Sequence, residues 1–227
     1  MPFQIVSQYR IFTDMRPSIS PLRCPRCEIR KPLCFCDHIP KIATRTRVLI
    51  LMHTCEETLT SNTAKLAANA LTNSEIRIRG RQHERMSSEG FTVPGRNSLI
   101  LFPSPFAKTL CNDFIANLAG PVTLIVPDAG WRQTKKFVRH EPSLKGILHV
   151  KLEPGKPSQY QLRRQSSAEN LCTLEAIARA LGALESIEVQ MQLETLLRIQ
   201  VERTLWSRGA IKANQCIEAG IPPAAIT

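Results

Sequence analysis

An α/β fold built on a parallel sheet is predicted by three observations: four short apolar runs of strand length, helical patterns lying between them, and 227 residues, enough for one sizeable core. The runs are 48–52 (VLILM), 98–102 (SLILF), 122–126 (VTLIV) and 146–150 (GILHV), bounded by Pro, Gly and polar clusters. Nearly continuous apolar runs read as strands covered on both faces, the habit of parallel sheets.

The helices follow in order. Ser61 or Thr60 is read as the cap of a helix through residues 63–71, where Leu66, Ala70 and Leu71 share a face. A second helix covers about Leu110 to Leu118 and a third begins near Trp131. The longest is expected from about Ala168, with Leu171, Leu174, Ile177, Ala178 and Leu181 at helical spacing and a break at Gly182; another runs from about Glu185 to Trp206. The tail after Ser207 reads as irregular, and no internal repeat is present. The boundaries expected are 1–40 for a basic arm with a cysteine knuckle, 41–206 for the α/β body and 207–227 for the tail.

With 43% hydrophobic and 22% charged residues the chain is neither disordered nor fibrous, and no apolar run reaches the ~18–20 residues of a membrane helix. The N-terminal stretch lacks an unbroken apolar h-region, so a reducing, cytoplasmic setting is expected. The formal charge is +11, and the first 50 residues, with nine Lys/Arg against three acids, hold +6 of it. A basic globular chain points to a polyanionic partner.

Eight cysteines in a reducing compartment are not four disulfides. Cys24, Cys27, Cys34 and Cys36, spaced C-x2-C-x6-C-x-C, offer four thiolates from two short loops, which suits tetrahedral zinc with no open position. A redox CxxC pair is the competing reading, and His38 is an alternative ligand or a solvated loop residue. Arg23, Arg26, Arg30 and Lys31 interleave with the ligands and are expected either on a phosphate backbone or in solvent. Arg132, Lys135, Lys136 and Arg139 fall on one helical stripe without acids between them, a second candidate RNA surface. Arg77, Arg79, Arg81 and Arg85 alternate, so the first three would share one strand face, a third cationic surface, or lie in a solvated loop.

Four segments of the body stand out: His53-Thr54-Cys55-Glu56 with Ser61-Asn62-Thr63-Ala64, Pro127-Asp128-Ala129-Gly130-Trp131, 158–165 (SQYQLRRQ), and Cys172-Thr173-Leu174-Glu175-Ala176. With the cysteine cluster, in this order, they resemble the DTW-domain family, the tRNA-uridine aminocarboxypropyltransferases, over about residues 24–205. The resemblance implies a SPOUT-like sheet with a C-terminal trefoil knot. It implies S-adenosylmethionine as donor and tRNA as partner, with the 3-amino-3-carboxypropyl group moving to uridine N3 and methylthioadenosine leaving. The sequence departs from the family pattern where Gly130 replaces a Thr, where His53-Thr54-Cys55-Glu56 replaces His-Pro-x-Glu, and where Cys172 replaces a Ser.

Within that implied chemistry, Asp128 ends a buried strand and is the candidate general base for the N3 proton; a plain N-cap of the next helix is its other reading. The donor is expected on Phe102, Pro103, Ser104, Pro127, Ala129, Gly130, Trp131, Arg163, Thr173 and Glu175. Trp131 would stack on adenine or the target base, or pack in the core. Arg163 suits the methionine carboxylate or a phosphate, and Arg164 joins the RNA-binding set. Glu175 would receive the α-amino group or complement a helix dipole. His53 and Glu56 are expected near substrate or donor. A SPOUT RNA methyltransferase, an aminocarboxypropyltransferase of ribosomal RNA and a non-catalytic zinc RNA-binding protein are the competing functions.

Overall fold

The computed structural model describes residues 20–82, 86–163 and 170–226. The strands are β1 (Arg47–His53), β2 (Ser74–Arg79), β3 (Asn97–Leu101), β4 (Lys108–Thr109), β5 (Val122–Asp128) and β6 (Leu148–Lys151), in one sheet of order β2-β1-β5-β3-β6-β4. Every neighbouring pair is parallel, so all C-terminal strand ends share one edge. The helices are α1 (Thr54–Glu57), α2 (Thr63–Ala70), α3 (Asn112–Ala116), α4 (Trp131–His140), α5 (Thr173–Leu184) and α6 (Ile187–Ser207).

Strand alternation sorts the core into two layers. Val48, Ile50, Met52, Leu124 and Val126 face α2, α5 and α6, while Leu49, Leu51, Ile100 and Ile125 face Phe137 and Val138 of α4. Both faces are therefore covered, which is why the central strands carry apolar side chains at consecutive positions. Cys24, Cys27, Ile29, Leu33 and Phe35 join the larger layer, so the cysteine segment packs into the same core as the sheet.

The chain corrects several expected boundaries. Residues 170–172 precede the helix expected from Ala168, α5 begins at Thr173, and α6, at 21 residues, is the longest helix. Gly182 does not break α5. A side chain there would meet Gln190 Oε1 at 2.1 Å, so the glycine lets α6 approach. The helix expected over 110–118 shortens to α3 behind the two-residue edge strand β4. The cap of α2 is Asn62, whose Oδ1 accepts the Lys65 N–H, and not Ser61 or Thr60.

The arginine alternation marks strand β2 at the sheet edge for Arg77 and Arg79, while Arg81 lies beyond its end, and these cations are used internally. Arg77 pairs with Glu75 and lies over Phe91, Arg79 sits 3.7 Å above the Phe137 ring, and Arg81 pairs with Glu57. Such pairing leaves that face ill suited to phosphates. Arg85 and Arg164 lie outside the described residues.

Candidate functional site

At the C-terminal edge of the sheet two cavities lie side by side, the position where open α/β sheets bind ligands. The larger, about 590 Å³, is lined by Phe102, Pro103, Pro127, Ala129, Trp131 and Thr173 among others. The smaller, about 280 Å³, is polar and includes Glu56, Ser61, Asn62, Asp128, Gly130 and Arg163. Ala129, Trp131 and Thr173 border both. Trp131 is 47% exposed, with its ring centroid 6.2 Å from that of Phe102, so it forms the wall between the cavities and is not core.

Asp128 ends β5 and is 5% exposed. It does not cap α4. Gly130 holds the cap position, and its helix receives no side-chain cap. The Thr173 hydroxyl donates to Asp128 Oδ1 at 2.5 Å and Asn62 Nδ2 donates to Oδ2 at 2.8 Å. Burial pushes the Asp128 carboxyl above the usual carboxylate range. The two donors and the Arg163 charge pull it down, the Glu56 charge pushes it further up, and the sum is a raised value. A raised carboxyl in a cavity wall is a better proton acceptor than a surface aspartate. Asn62 and Thr173 lie within motifs the sequence singled out, but nothing in their order shows that both aim at Asp128.

Arg163 is gripped from one side. Its Nη1 donates to Glu56 Oε2 at 2.9 Å and its Nε to Ser61 Oγ at 2.9 Å, while Nη2, itself buried, has no hydrogen-bond partner among the described residues. An orphaned guanidinium nitrogen bordering a polar cavity is a ready donor for a ligand carboxylate. Glu56 also accepts from Asn62 Nδ2, so the Arg163 and Asp128 groups belong to one network.

Two expected donor residues lie outside both cavities. Ser104 Oγ meets His149 Nδ1 at 2.8 Å. Glu175 is buried, and its carboxylate accepts from the Ser158 hydroxyl, the Gln159 N–H and the Cys172 N–H. It latches the 158–163 loop to the start of α5, and these bonds engage both its oxygens. His53 caps α1, its Nδ1 accepting the Cys55 N–H. A Cβ at Gly130 would meet only Gln133 Oε1, at 3.5 Å, so packing does not force the loss of the hydroxyl there.

On α4, Arg132, Lys135, Lys136 and Arg139 are exposed opposite the buried Thr134, Phe137 and Val138. None of the four enters an ion pair with a described residue. Around the cysteine segment Arg26, Arg30 and Lys31 are likewise exposed, while Arg23 donates to the Glu28 carbonyl.

The Sγ atoms of Cys24, Cys27, Cys34 and Cys36 all lie within 4.8 Å of one another, with pairs at 3.4, 3.5 and 3.7 Å. A tetrahedron with metal–sulfur bonds of about 2.3 Å has edges of about 3.8 Å, so four thiolates here fit one zinc-sized ion. His38 is not among them; its Nε2 meets Arg203. Burial opposes ionisation of Cys24, but the Cys27 and Arg26 backbone N–H groups and the Cys36 and Cys34 thiols bring its pKa down to about 7. Burial and the neighbouring thiol Cys24 push Cys27 up to about 11. One thiolate thus resists the next, and a divalent cation among them is what lets all four ionise.

The DTW domain model matches residues 21–205. Among curated proteins, tRNA-uridine aminocarboxypropyltransferase 2 of Macaca fascicularis is 29% identical over 180 residues, 77% of this chain and 60% of the relative. The protein of the same name from Mus musculus is 31% identical over 180 residues, with the same shares. tRNA-uridine aminocarboxypropyltransferase A of Arabidopsis thaliana is 28% identical over 208 residues, covering 78% of this chain and 79% of the relative. The chain therefore spans about 60% of the length of the macaque and mouse relatives. No solved structure matches it.

Proposed function

The chain belongs to the DTW-domain family, and from that membership we propose that it transfers the 3-amino-3-carboxypropyl group of S-adenosylmethionine to N3 of a tRNA uridine. The observation that carries the proposal is Asp128, a buried acid with raised basicity that lines the smaller cavity and is held by Thr173, a residue bordering both cavities. When bound, S-adenosylmethionine supplies a γ-carbon made electrophilic by its sulfonium, and methylthioadenosine leaves as the carbon–sulfur bond breaks.

The residues divide the work. The apolar cavity suits the adenosine part, with Trp131 and Phe102 as flat surfaces. Arg163 Nη2 receives the carboxylate of the transferred group. Asp128 takes the N3 proton as the nitrogen bonds to carbon, while Asn62 and Thr173 hold its two oxygens in place. The four cysteines hold zinc as a folding element of the residues before α2. We also assign the sheet to the SPOUT class with a C-terminal knot. Its support is that the late strands β5 and β6 are inserted between strands laid down earlier.

The reaction is tested by mass analysis of the spent donor after incubation with tRNA. Methylthioadenosine is the expected product. Adenosylhomocysteine would make the chain a methyltransferase, and RNA binding without any donor affinity would make it a binding protein.

Two predictions attach to these roles. Replacing Arg163 by Met is expected to raise the KM for S-adenosylmethionine by about 10- to 100-fold, the worth of one charge-assisted hydrogen bond; an unchanged KM removes the carboxylate assignment. Replacing Lys135 and Lys136 by Ala is expected to weaken tRNA binding and flatten its salt dependence, each lost phosphate contact lowering the slope by about 0.9 in duplex regions. Filter binding across a salt series reads both quantities. An unaltered slope would return that helix face to plain solvation.

A further inference from the structure

Arg203, in the last third of α6, is 2% exposed, and among the described residues no carboxylate lies within ion-pair distance of it. Its five N–H groups are nevertheless all engaged. Nε donates to the Gly220 carbonyl, Nη1 to the carbonyls of Leu33 and Cys34, and Nη2 to the Ala219 carbonyl and to His38 Nε2. Hydrogen bonding is thus satisfied while the charge is not, and a buried cation facing only neutral acceptors is costly. Burial lowers the Arg203 pKa, and the thiols of Cys34, Cys27 and Cys216 act in the opposite direction.

One acceptor, the Cys34 carbonyl, belongs to the four-cysteine cluster, and Leu33 precedes it. Zinc bound by four thiolates is a dianion, set here partly in the core. We propose that Arg203 is the counter-charge of the metal-loaded cysteine centre, a buried guanidinium that finds its anion only when zinc is bound. The inference rests on the zinc reading above. It makes Arg203 a positioning and charge-balancing residue that touches no metal, and it places the C-terminal tail in the same shell, since the Ala219 and Gly220 carbonyls take two of its N–H groups.

The test uses the full chain, loaded with zinc, with Arg203→Gln and Arg203→Lys as variants. Competition against a chromogenic zinc chelator measures affinity, and thermal unfolding is compared with and without chelator. The Gln variant is expected to bind zinc roughly ten- to hundredfold more weakly, the range for lost partners around a metal site. The Lys variant, which keeps the cation, recovers most of that loss. The destabilisation of the Gln variant appears with zinc and fades without it. Parent-like affinity in the Gln variant, or equal destabilisation in both metal states, overturns the proposal. Should the Gln variant fail to fold, the Lys variant decides: parent-like affinity supports the counter-charge, and a weak, folded Lys variant overturns it. A parent chain that binds no zinc removes the metal reading itself, an outcome distinct from these.

Discussion

Asp128→Asn is expected to lower the rate of aminocarboxypropyl transfer by about 10²- to 10⁴-fold, the usual contribution of a general base, while S-adenosylmethionine binding stays nearly intact. The substitution is a clean probe because the pocket can satisfy an amide. The Asn carbonyl can accept from Asn62 Nδ2, and the Thr173 hydroxyl, which now donates, can turn and accept from the new NH2 group. Unchanged turnover would remove the assignment of Asp128 as base.

The pH dependence has a definite sign. Burial raises the folded Asp128 above its value in the unfolded chain, so the proposed transfer by the parent chain should be lost as pH falls through that raised value, and the Asn variant should lack this limb. Stability runs the other way. The folded state binds the Asp128 proton more tightly, so its contribution is fully present below the ordinary carboxylate range and is lost as pH rises through the raised folded value. At neutral pH Asp128→Asn should therefore unfold at a higher temperature than the parent while catalysing poorly. Calorimetry at pH 4 and pH 7 checks this; a Tm difference that does not grow with pH contradicts it.

Removing the proposed metal centre is the second large effect. Cys27→Ala is expected to abolish stoichiometric zinc and to cost about 3 kcal/mol or more, which for a chain of this size lowers Tm by roughly 6–12 °C. The loss should extend to activity because the segment is braced at two points against α2, whose N-cap Asn62 holds Asp128. Glu28, a buried residue at φ +57, pairs with Lys65 of α2 at 2.9 Å, and Asn69 Nδ2 donates to the Arg26 carbonyl. Metal analysis of the purified chain and differential scanning calorimetry decide it. Parent-like Tm together with parent-like activity in a zinc-free variant would reduce the cluster to four unrelated thiols.

The readability of the sequence varied from place to place for physical reasons. The run Val48–Met52 was legible because both of its faces are covered, so no polar residue interrupts it. Strand β2 shows only as an arginine alternation that a solvated loop fits as well, because it lies at the edge of the sheet and its charges have partners, Glu75, Phe91 and Phe137, that are set by tertiary contacts. The cysteine cluster was read from spacing, since short loops bring their own ends together. Asp128 was read from its place after a buried strand, but its partners Asn62 and Thr173 come from positions 66 and 45 residues away, a separation no local pattern encodes. Glu175 does serve the start of its helix, accepting the Cys172 N–H, but its further role as the latch of the 158–163 loop leaves no local signal. Arg203 carried no signal at all, because its meaning comes from carbonyls on two distant segments.

Helix α2 has a further consequence for how such a chain can change. Its N-cap side chain reaches Asp128, Lys65 one turn on reaches Glu28, and Asn69 another turn on reaches Arg26. Each residue added to or removed from an α-helix turns everything beyond it by about 100°. An insertion or deletion between Asn62 and Asn69 would therefore swing at least one of these three side chains away from its target. The helix should keep a fixed length wherever the two sites are kept together, while the loops around it remain free to lengthen.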